Sequence, residues 1–288
     1  MLLASAVFGG LSVSKPQPGA EGQFRSTVDT VAVYATVSDP DGRLVPDLPK
    51  DQFQILDNGR PVEIALFSNE RQPITVAIML DMSGSMVRRF LKVRESTLWF
   101  VSALQPDDRA QIGSFGEEVA VSPLLTGDKN VLARVLKEEL WPLGPTPLWN
   151  AAEAAMTALA GQTGRRVVLM LTDGADSCNF PRCRKFGDVE KRAKREDFMF
   201  YAIAMDERGI GANLVKLVQQ TGGGHFALNA GDNLTDTFSR VAEELRHQYL
   251  IGFSPSLLDG REHRLEVRLT RPGLQARART SYHASRSR

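Results

Sequence analysis

Three runs in this chain, 74–80, 167–171 and 198–204, are apolar at nearly consecutive positions rather than at every second one. A strand with one wet face alternates, and a strand covered on both faces does not, so these runs predict central strands of a parallel sheet. Parallel strands need crossovers, which helices supply. Helix-period segments are read at 86–104, 128–140, 148–160, 212–220 and 232–247, the first with Phe90, Val93, Thr97, Val101 and Leu104 on one stripe. Further strands are read at 109–115 and 119–122, joined by a tight turn at Gly116-Glu117, and near 225–228, while 188–197 is a charged stretch before the third apolar run. This alternation predicts an α/β, doubly wound, mainly parallel, Rossmann-like sheet.

The flanks follow a different rhythm. Val31, Val33, Ala35 and Val37 alternate, Asp39-Pro40-Asp41-Gly42 is turn chemistry, and Phe53 and Ile55 form a second alternating run. Asp57-Asn58-Gly59-Arg60 supplies a hairpin turn, answered by Val62, Ile64 and Leu66 on the far side. After residue 248, Tyr249, Ile251 and Phe253 alternate. Leu265, Val267 and Leu269 follow an Asp259-Gly260 turn, and a last run covers 275–282. Neither flank is large enough to be comfortable alone. The economical expectation is a split β-sandwich, 24–72 with 249–288, into which an α/β unit at 73–248 is inserted; two separate β appendages are the alternative.

The chain has 288 residues, 42% of them hydrophobic and 24% charged, with net charge +1. No global field recruits nucleic acid or an acidic membrane, and the Arg-rich end at 277–288 reads as a solvated tail. Residues 1–13 are apolar but too short to span a bilayer, and no other segment approaches a membrane span. They look like the core and small-residue end of a secretory signal without its basic start, and a Pro- and Gly-rich linker at 15–23 follows. The expectation is an exported protein, in the periplasm, at the cell surface or secreted. Four residues separate Cys178 from Cys183. A disulfide fits that compartment; two free thiols or half of a soft-metal site are the alternatives, and no second cysteine pair or close histidine cluster completes a zinc site.

Oxygen side chains recur where strands are read to end, the edge at which open α/β sheets place ligands. Asp81, Ser83 and Ser85 follow the first apolar run, Thr146 sits in Gly144-Pro145-Thr146-Pro147-Leu148, and Asp173 follows the second run in Leu171-Thr172-Asp173-Gly174. Two carboxylates and three hydroxyls suit a hard dication such as Mg²⁺, with Mn²⁺ as the second choice, and leave a position open. Each group also has a bland reading. Asp81 or Ser83 is a helix N-cap, Thr146 caps the helix at 148, and Thr172-Asp173-Gly174 is an ordinary turn. His225, His247, His263 and His283 read as ordinary structural histidines, and Gly222-Gly223-Gly224 lacks the Lys-Ser/Thr of a phosphate loop.

The set Asp81-x-Ser83-x-Ser85, a distant Thr146 and a distant Asp173 resembles the metal-ion-dependent adhesion site of von Willebrand factor type A domains, over about 175 residues from Pro73 to Gln248. The segments 37–43, 51–59 and 244–249 look like the related proteins of acidobacteria, which are generally exported. The resemblance implies that Ser83 and Ser85 bind the ion directly. It also implies that Thr146 and Asp173 exchange between direct and water-mediated contact, that Asp81 orients hydroxyls and waters, and that a Glu or Asp of a partner completes the site. Pro145 stands where many members have Gly and would stiffen the loop. The implied function is Mg²⁺-dependent binding of a protein partner, without catalysis. The competing readings are a structural or assembly protein with metal-braced loops and a Mg²⁺-dependent phosphoryl-transfer enzyme. The last needs a second aspartate at position 83, which is Ser83.

Overall fold

The computed structural model describes residues 30–138, 144–179, 181–205, 209–228 and 233–285. The signal-like segment and linker at 1–23 lie outside the described residues, as do the last two residues of the helix read at 128–140 and the first of the helix read at 232–247. The chain begins with four strands: β1 (Val31–Ser38), β2 (Phe53–Asp57), β3 (Arg60–Val62) and β4 (Ile64–Ser68). The α/β series follows as β5 (Thr75–Asp81), α1 (Phe90–Ser102), β6 (Arg109–Phe115), β7 (Val119–Val121), α2 (Lys129–Glu138) and α3 (Leu148–Leu159). It continues with β8 (Arg166–Thr172), α4 (Phe186–Arg195), β9 (Phe198–Ala204), α5 (Ala212–Gln220), β10 (His225–Ala227) and α6 (Leu234–Arg246). Four strands return to the β region: β11 (Tyr249–Phe253), β12 (Glu262–Leu269), β13 (Gln275–Arg277) and β14 (Ser281–His283).

The middle series forms one six-stranded sheet in the order β10-β9-β8-β5-β6-β7, parallel except for the β6–β7 pair. Every residue of β9 is buried, as are all but the first residue of β5 and of β8. That is why their sequences run apolar without alternation. Val93, Phe100 and Val101 of α1, Leu132 and Leu136 of α2, and Phe238, Val241 and Leu245 of α6 pack on one face. Ala152, Ala155 and Met156 of α3, Val189 of α4 and Leu214 and Leu217 of α5 cover the other.

The two flanks do pair. β1 lies between β13 and β11, β11 pairs with β4, and β12 joins β2 to β14, giving two four-stranded antiparallel sheets. Val33, Ala35, Ile55, Ile251, Phe253 and Leu265 share one core between them. At the β2–β3 hairpin Asn58 and Gly59 both take positive φ, 49° and 81°, as a two-residue turn that follows strand twist requires.

Three elements differ from expectation. The run Val62, Ile64 and Leu66 is not one strand: β3 and β4 belong to different sheets, and Leu66 is 45% exposed. The final run likewise divides, with β13 and β14 in opposite sheets and the chain between them held by Thr280 N–H donating to Gln220 O at 3.0 Å. The charged stretch contains α4, whose buried residues are only Val189 and Ala193, too narrow a stripe to stand out among its charges.

One side chain joins the start and end of the α/β series. Arg165, buried just before β8, donates through Nη1 to Gln248 Oε1 at 2.7 Å and to Leu245 O, and through Nη2 to Gln72 O and Pro73 O at 3.3 Å each. Gln248 in turn donates to Thr36 Oγ1 of β1 at 3.1 Å and to Tyr201 OH at 3.2 Å. The chain enters and leaves the α/β layer at one shared guanidinium.

Candidate metal-binding site

β5 and β8 are adjacent and parallel, paired from Thr75–Arg166 through Leu80–Leu171, so their carboxyl ends emerge side by side. Asp81 and Asp173 are thereby brought together at the sheet edge, at 0% and 4% exposure. Asp81 Oδ1 accepts from Ser83 N–H at 2.9 Å, and its Oδ2 accepts from Thr172 Oγ1 at 2.6 Å. Ser83 Oγ lies 3.1 Å from Ser85 Oγ, and Ser85 Oγ donates to Asp173 Oδ1 at 2.8 Å. These residues form one hydrogen-bonded chain that runs from the buried Asp81 to the exposed Ser85.

Burial raises the Asp81 carboxyl above the ordinary carboxylate range. The Ser83 and Thr172 bonds oppose that shift, and the charge of Asp173 adds to it. Two buried carboxylates with hard hydroxyl oxygens between them are a set that a small dication relieves of like-charge repulsion, so the donor chemistry fits Mg²⁺ or Mn²⁺. Among the described residues no three His, Cys, Asp or Glu side chains converge on a metal position. The candidate set has only two carboxylates, and the rest of its donors are hydroxyls.

Thr146 arrives by a different route. It is buried, its N–H donates to Ser177 Oγ at 2.9 Å, and its carbonyl accepts from Ser177 N–H at 2.9 Å. Gly84 N–H donates to Gly144 O at 3.1 Å, which ties this loop to the one carrying the serines. Thr146 is therefore tied to Ser177, and its loop to the serine loop through the Gly84–Gly144 bond, rather than to the hydroxyl chain itself. Gly144 holds φ at +96°, and a Cβ there would stand 2.5 Å from Glu117 N in the β6–β7 turn. Only glycine places the Thr146 loop against that turn.

The bland capping readings fail for two of the groups. Ser83 precedes a 3-10 turn, Gly84–Met86, and Pro147 precedes α3; neither position makes a side-chain cap. The Thr172-Asp173-Gly174 turn is real, with Gly174 N–H on Thr172 Oγ1 at 3.2 Å, and it coexists with the contact to Ser85. Two residues of the constellation escape a sequence reading. Thr172 is one, although it stands beside Asp173. The other is Arg89, whose Nη1 lies 3.2 Å from Asp173 Oδ2. Gly84, Ser85, Val87, Arg88 and Arg89 line a shallow depression at this edge.

The Cys178–Cys183 pair is a disulfide, with Cα atoms 5.9 Å apart. Asn150 of α3 anchors its loop, accepting from Arg184 N–H at 2.7 Å and donating to Arg182 O at 3.1 Å. Of the four histidines, His263 is buried in the β region, where its Nδ1 lies 2.8 Å from Asp57 Oδ1. Among the described residues no helix is long and apolar enough to cross a membrane.

Residues 76–175 match the family model described as the von Willebrand factor type A domain. A comparison with curated proteins returns no match. Among solved structures, a von Willebrand factor type A protein from Catenulispora acidiphila aligns with 88% of this chain and 74% of its own, at 13% identity and TM-score 0.53. The PilB minor pilin of Streptococcus sanguinis aligns with 62% of this chain and 63% of its own, at 14% identity and TM-score 0.50. Proximal thread matrix protein 1 of the mussel byssus, solved with zinc in its metal-ion-dependent adhesion site, aligns with 64% of this chain and 48% of its own, at 14% identity and TM-score 0.50. The chain thus spans under two thirds of the pilin and about half of the mussel protein. At these identities the likeness is one of fold. Within the α/β layer, residues 76–175 are thus similar to the von Willebrand factor type A domain, and the solved structures share its fold.

Proposed function

We propose that this protein is a binding module in which Asp81, Ser83, Ser85, Thr146 and Asp173 hold Mg²⁺, or Mn²⁺, and capture a Glu or Asp side chain of a protein partner. The observation that carries the reading is the hydrogen-bonded chain Asp81–Ser83–Ser85–Asp173 at the open end of β5 and β8, with hydroxyls that cap no helix. When bound, the ion would supply an open coordination position for an oxygen of an external carboxylate. Here the protein keeps Asp81 buried and bonded while Ser85 reaches solvent, so an incoming carboxylate meets hydroxyls before it meets carboxylates.

The same proposal treats 73–248 as the binding unit, and the β-sandwich of 24–72 and 249–288 as its mount. It also places the protein outside the cytoplasm, which the disulfide supports. Phosphoryl transfer is disfavoured because the position that would carry its second carboxylate is Ser83, bonded to Ser85 instead.

Isothermal titration of the full chain with MgCl₂, before and after Asp81→Ala, tests the site, and equal binding by the two proteins overturns it. Envelope proteins retained on the immobilised chain in Mg²⁺ but not in chelator, and not by Asp81→Ala, extend the reading to partner capture. Metal binding that raises the melting temperature with no metal-dependent partner would favour the bracing role instead. Turnover of a phosphate ester, lost in Asp81→Asn, would reinstate the enzyme.

A further inference from the structure

Arg89 approaches the candidate site from its rim. It lies four residues beyond Ser85, and its backbone is fixed at both ends. Its N–H donates to Met86 O at 2.9 Å, and its carbonyl accepts from Val93 N–H at 2.9 Å as α1 begins. From that anchor its guanidinium reaches Asp173 Oδ2 at 3.2 Å, while Asp173 Oδ1 accepts from Ser85 Oγ at 2.8 Å. The Asp173 side chain is 3% exposed and that of Arg89 37%. A buried carboxylate without a counter-charge is costly to the fold, and the chain carries a cation within reach of both solvent and site.

We propose that Arg89 is a tethered competitor of the divalent ion: guanidinium and metal neutralise the same Asp173 carboxylate, and Arg89 thereby sets the metal concentration at which the site loads. The inference rests on the metal-site reading above. Charge counting gives its direction. Asp81 and Asp173 with Arg89 paired carry one net negative charge, and adding a dication beside that pair overshoots to one positive. Exchanging Arg89 for the dication leaves the site neutral. Because Arg89 is bonded into the turn that carries Ser85, its local concentration is high and it exacts a fixed penalty from every incoming ion. The opposite role is equally definite: an Arg89 that merely orients Asp173 would help the metal, and its loss would weaken binding.

The sign of one substitution therefore decides. Titrations of the full chain with MgCl₂ and with MnCl₂ are compared for the wild type, Arg89→Gln and Arg89→Lys, with melting curves in chelator. The expected result is that Arg89→Gln binds Mg²⁺ about tenfold tighter, as expected when a competing charge close to the ion is removed, yet melts below the wild type in chelator. Arg89→Lys should stay within about threefold of the wild type, since it keeps the competing charge. Equal or weaker binding by Arg89→Gln overturns the inference while leaving the metal site standing. A folded wild type that binds neither ion overturns the metal site itself, and the inference with it. Should Arg89→Gln fail to fold, the wild type suffices once Arg89→Lys has assigned its Arg89 Nε–H signal in NMR: that signal is expected to shift as Mg²⁺ saturates, and an unmoved signal refutes the exchange.

Discussion

Two buried aspartates sit at opposite ends of the functional scale in this molecule. Asp57, in the β-sandwich, accepts from Tyr282 OH at 2.9 Å and meets His263 Nδ1 at 2.8 Å, while His263 Nε2 lies 3.3 Å from Asp259. Its partners are protein groups already bonded to one another, the network reaches the exposed Asp259 only through the His263 imidazole, and burial with the adjacent Asp57 pushes the Tyr282 hydroxyl up. Asp81 is buried as deeply, but its network leads through Ser83 and Ser85 out to solvent and ends on a second carboxylate. The first arrangement satisfies its charge with protein donors and has nothing left to offer. The second accumulates acceptors and unspent hydroxyls at a sheet edge. Burial alone does not mark a candidate site carboxylate; hydroxyls left over at an open sheet edge do.

That contrast breaks first at Asp57. Asp57→Ala removes the buried carboxylate that Tyr282 and His263 share, leaving them each other at 3.1 Å and the exposed Asp259, at an expected cost of about 3 kcal/mol. Denaturant unfolding reads the loss, and the metal response of the surviving folded protein should be unchanged. A Mg²⁺ affinity that falls along with stability would mean that the two networks are coupled.

Asp81→Ala should do the reverse. Mg²⁺ at a hundred times its dissociation constant stabilises a single-site protein by about 2.7 kcal/mol, and the variant should lose that increment while remaining folded in chelator. Thermal melts with and without MgCl₂ measure both quantities. A variant that keeps the increment would move the ion elsewhere.

The ease of reading these two networks from sequence differs for a physical reason. Asp81, Ser83 and Ser85 are neighbours in the chain, and Asp173 follows an apolar run that had to pair near the first, so spacing and strand ends were enough to group them. Asp57 and His263 are joined across 206 residues, and their meeting depends on the β2–β12 register, which no local pattern specifies. The mainly parallel, doubly wound sheet followed from apolar strands and crossover helices, but its strand order did not. The breaks at Glu63 and at 278–280 did not, because alternation continues through a strand that changes sheets. Arg89 was hidden by its ordinariness, an arginine entering a helix, and only its 3.2 Å approach to Asp173 singles it out.

Gly144→Ala probes the framework under the open network. At φ +96° a side chain is strained, and the new Cβ would meet Glu117 N at 2.5 Å. The expected loss is about 2 kcal/mol, and the Gly84–Gly144 bond that aligns the serine loop with Thr146 should go with it. Mg²⁺ titration should therefore show weaker binding although no proposed ligand has changed. Binding at wild-type strength would remove Thr146 from the site, since its place depends on this loop.

Asn150→Ala makes the smallest change and separates the site from its surroundings. Asn150 is half-buried on α3 and holds the disulfide loop through Arg184 N–H and Arg182 O. Removing both bonds should cost about 1 kcal/mol, because water replaces much of what is lost at a partly exposed position. Nothing in the Asp81–Asp173 chain touches Asn150, so Mg²⁺ affinity should stay within about twofold of the wild type. The Cys178–Cys183 bond should instead be reduced faster by dithiothreitol, as the loop spends more time open. If metal affinity falls as far as in Gly144→Ala, the disulfide loop and the hydroxyl chain form one unit, and the open network extends past Ser177 to the loop's far end.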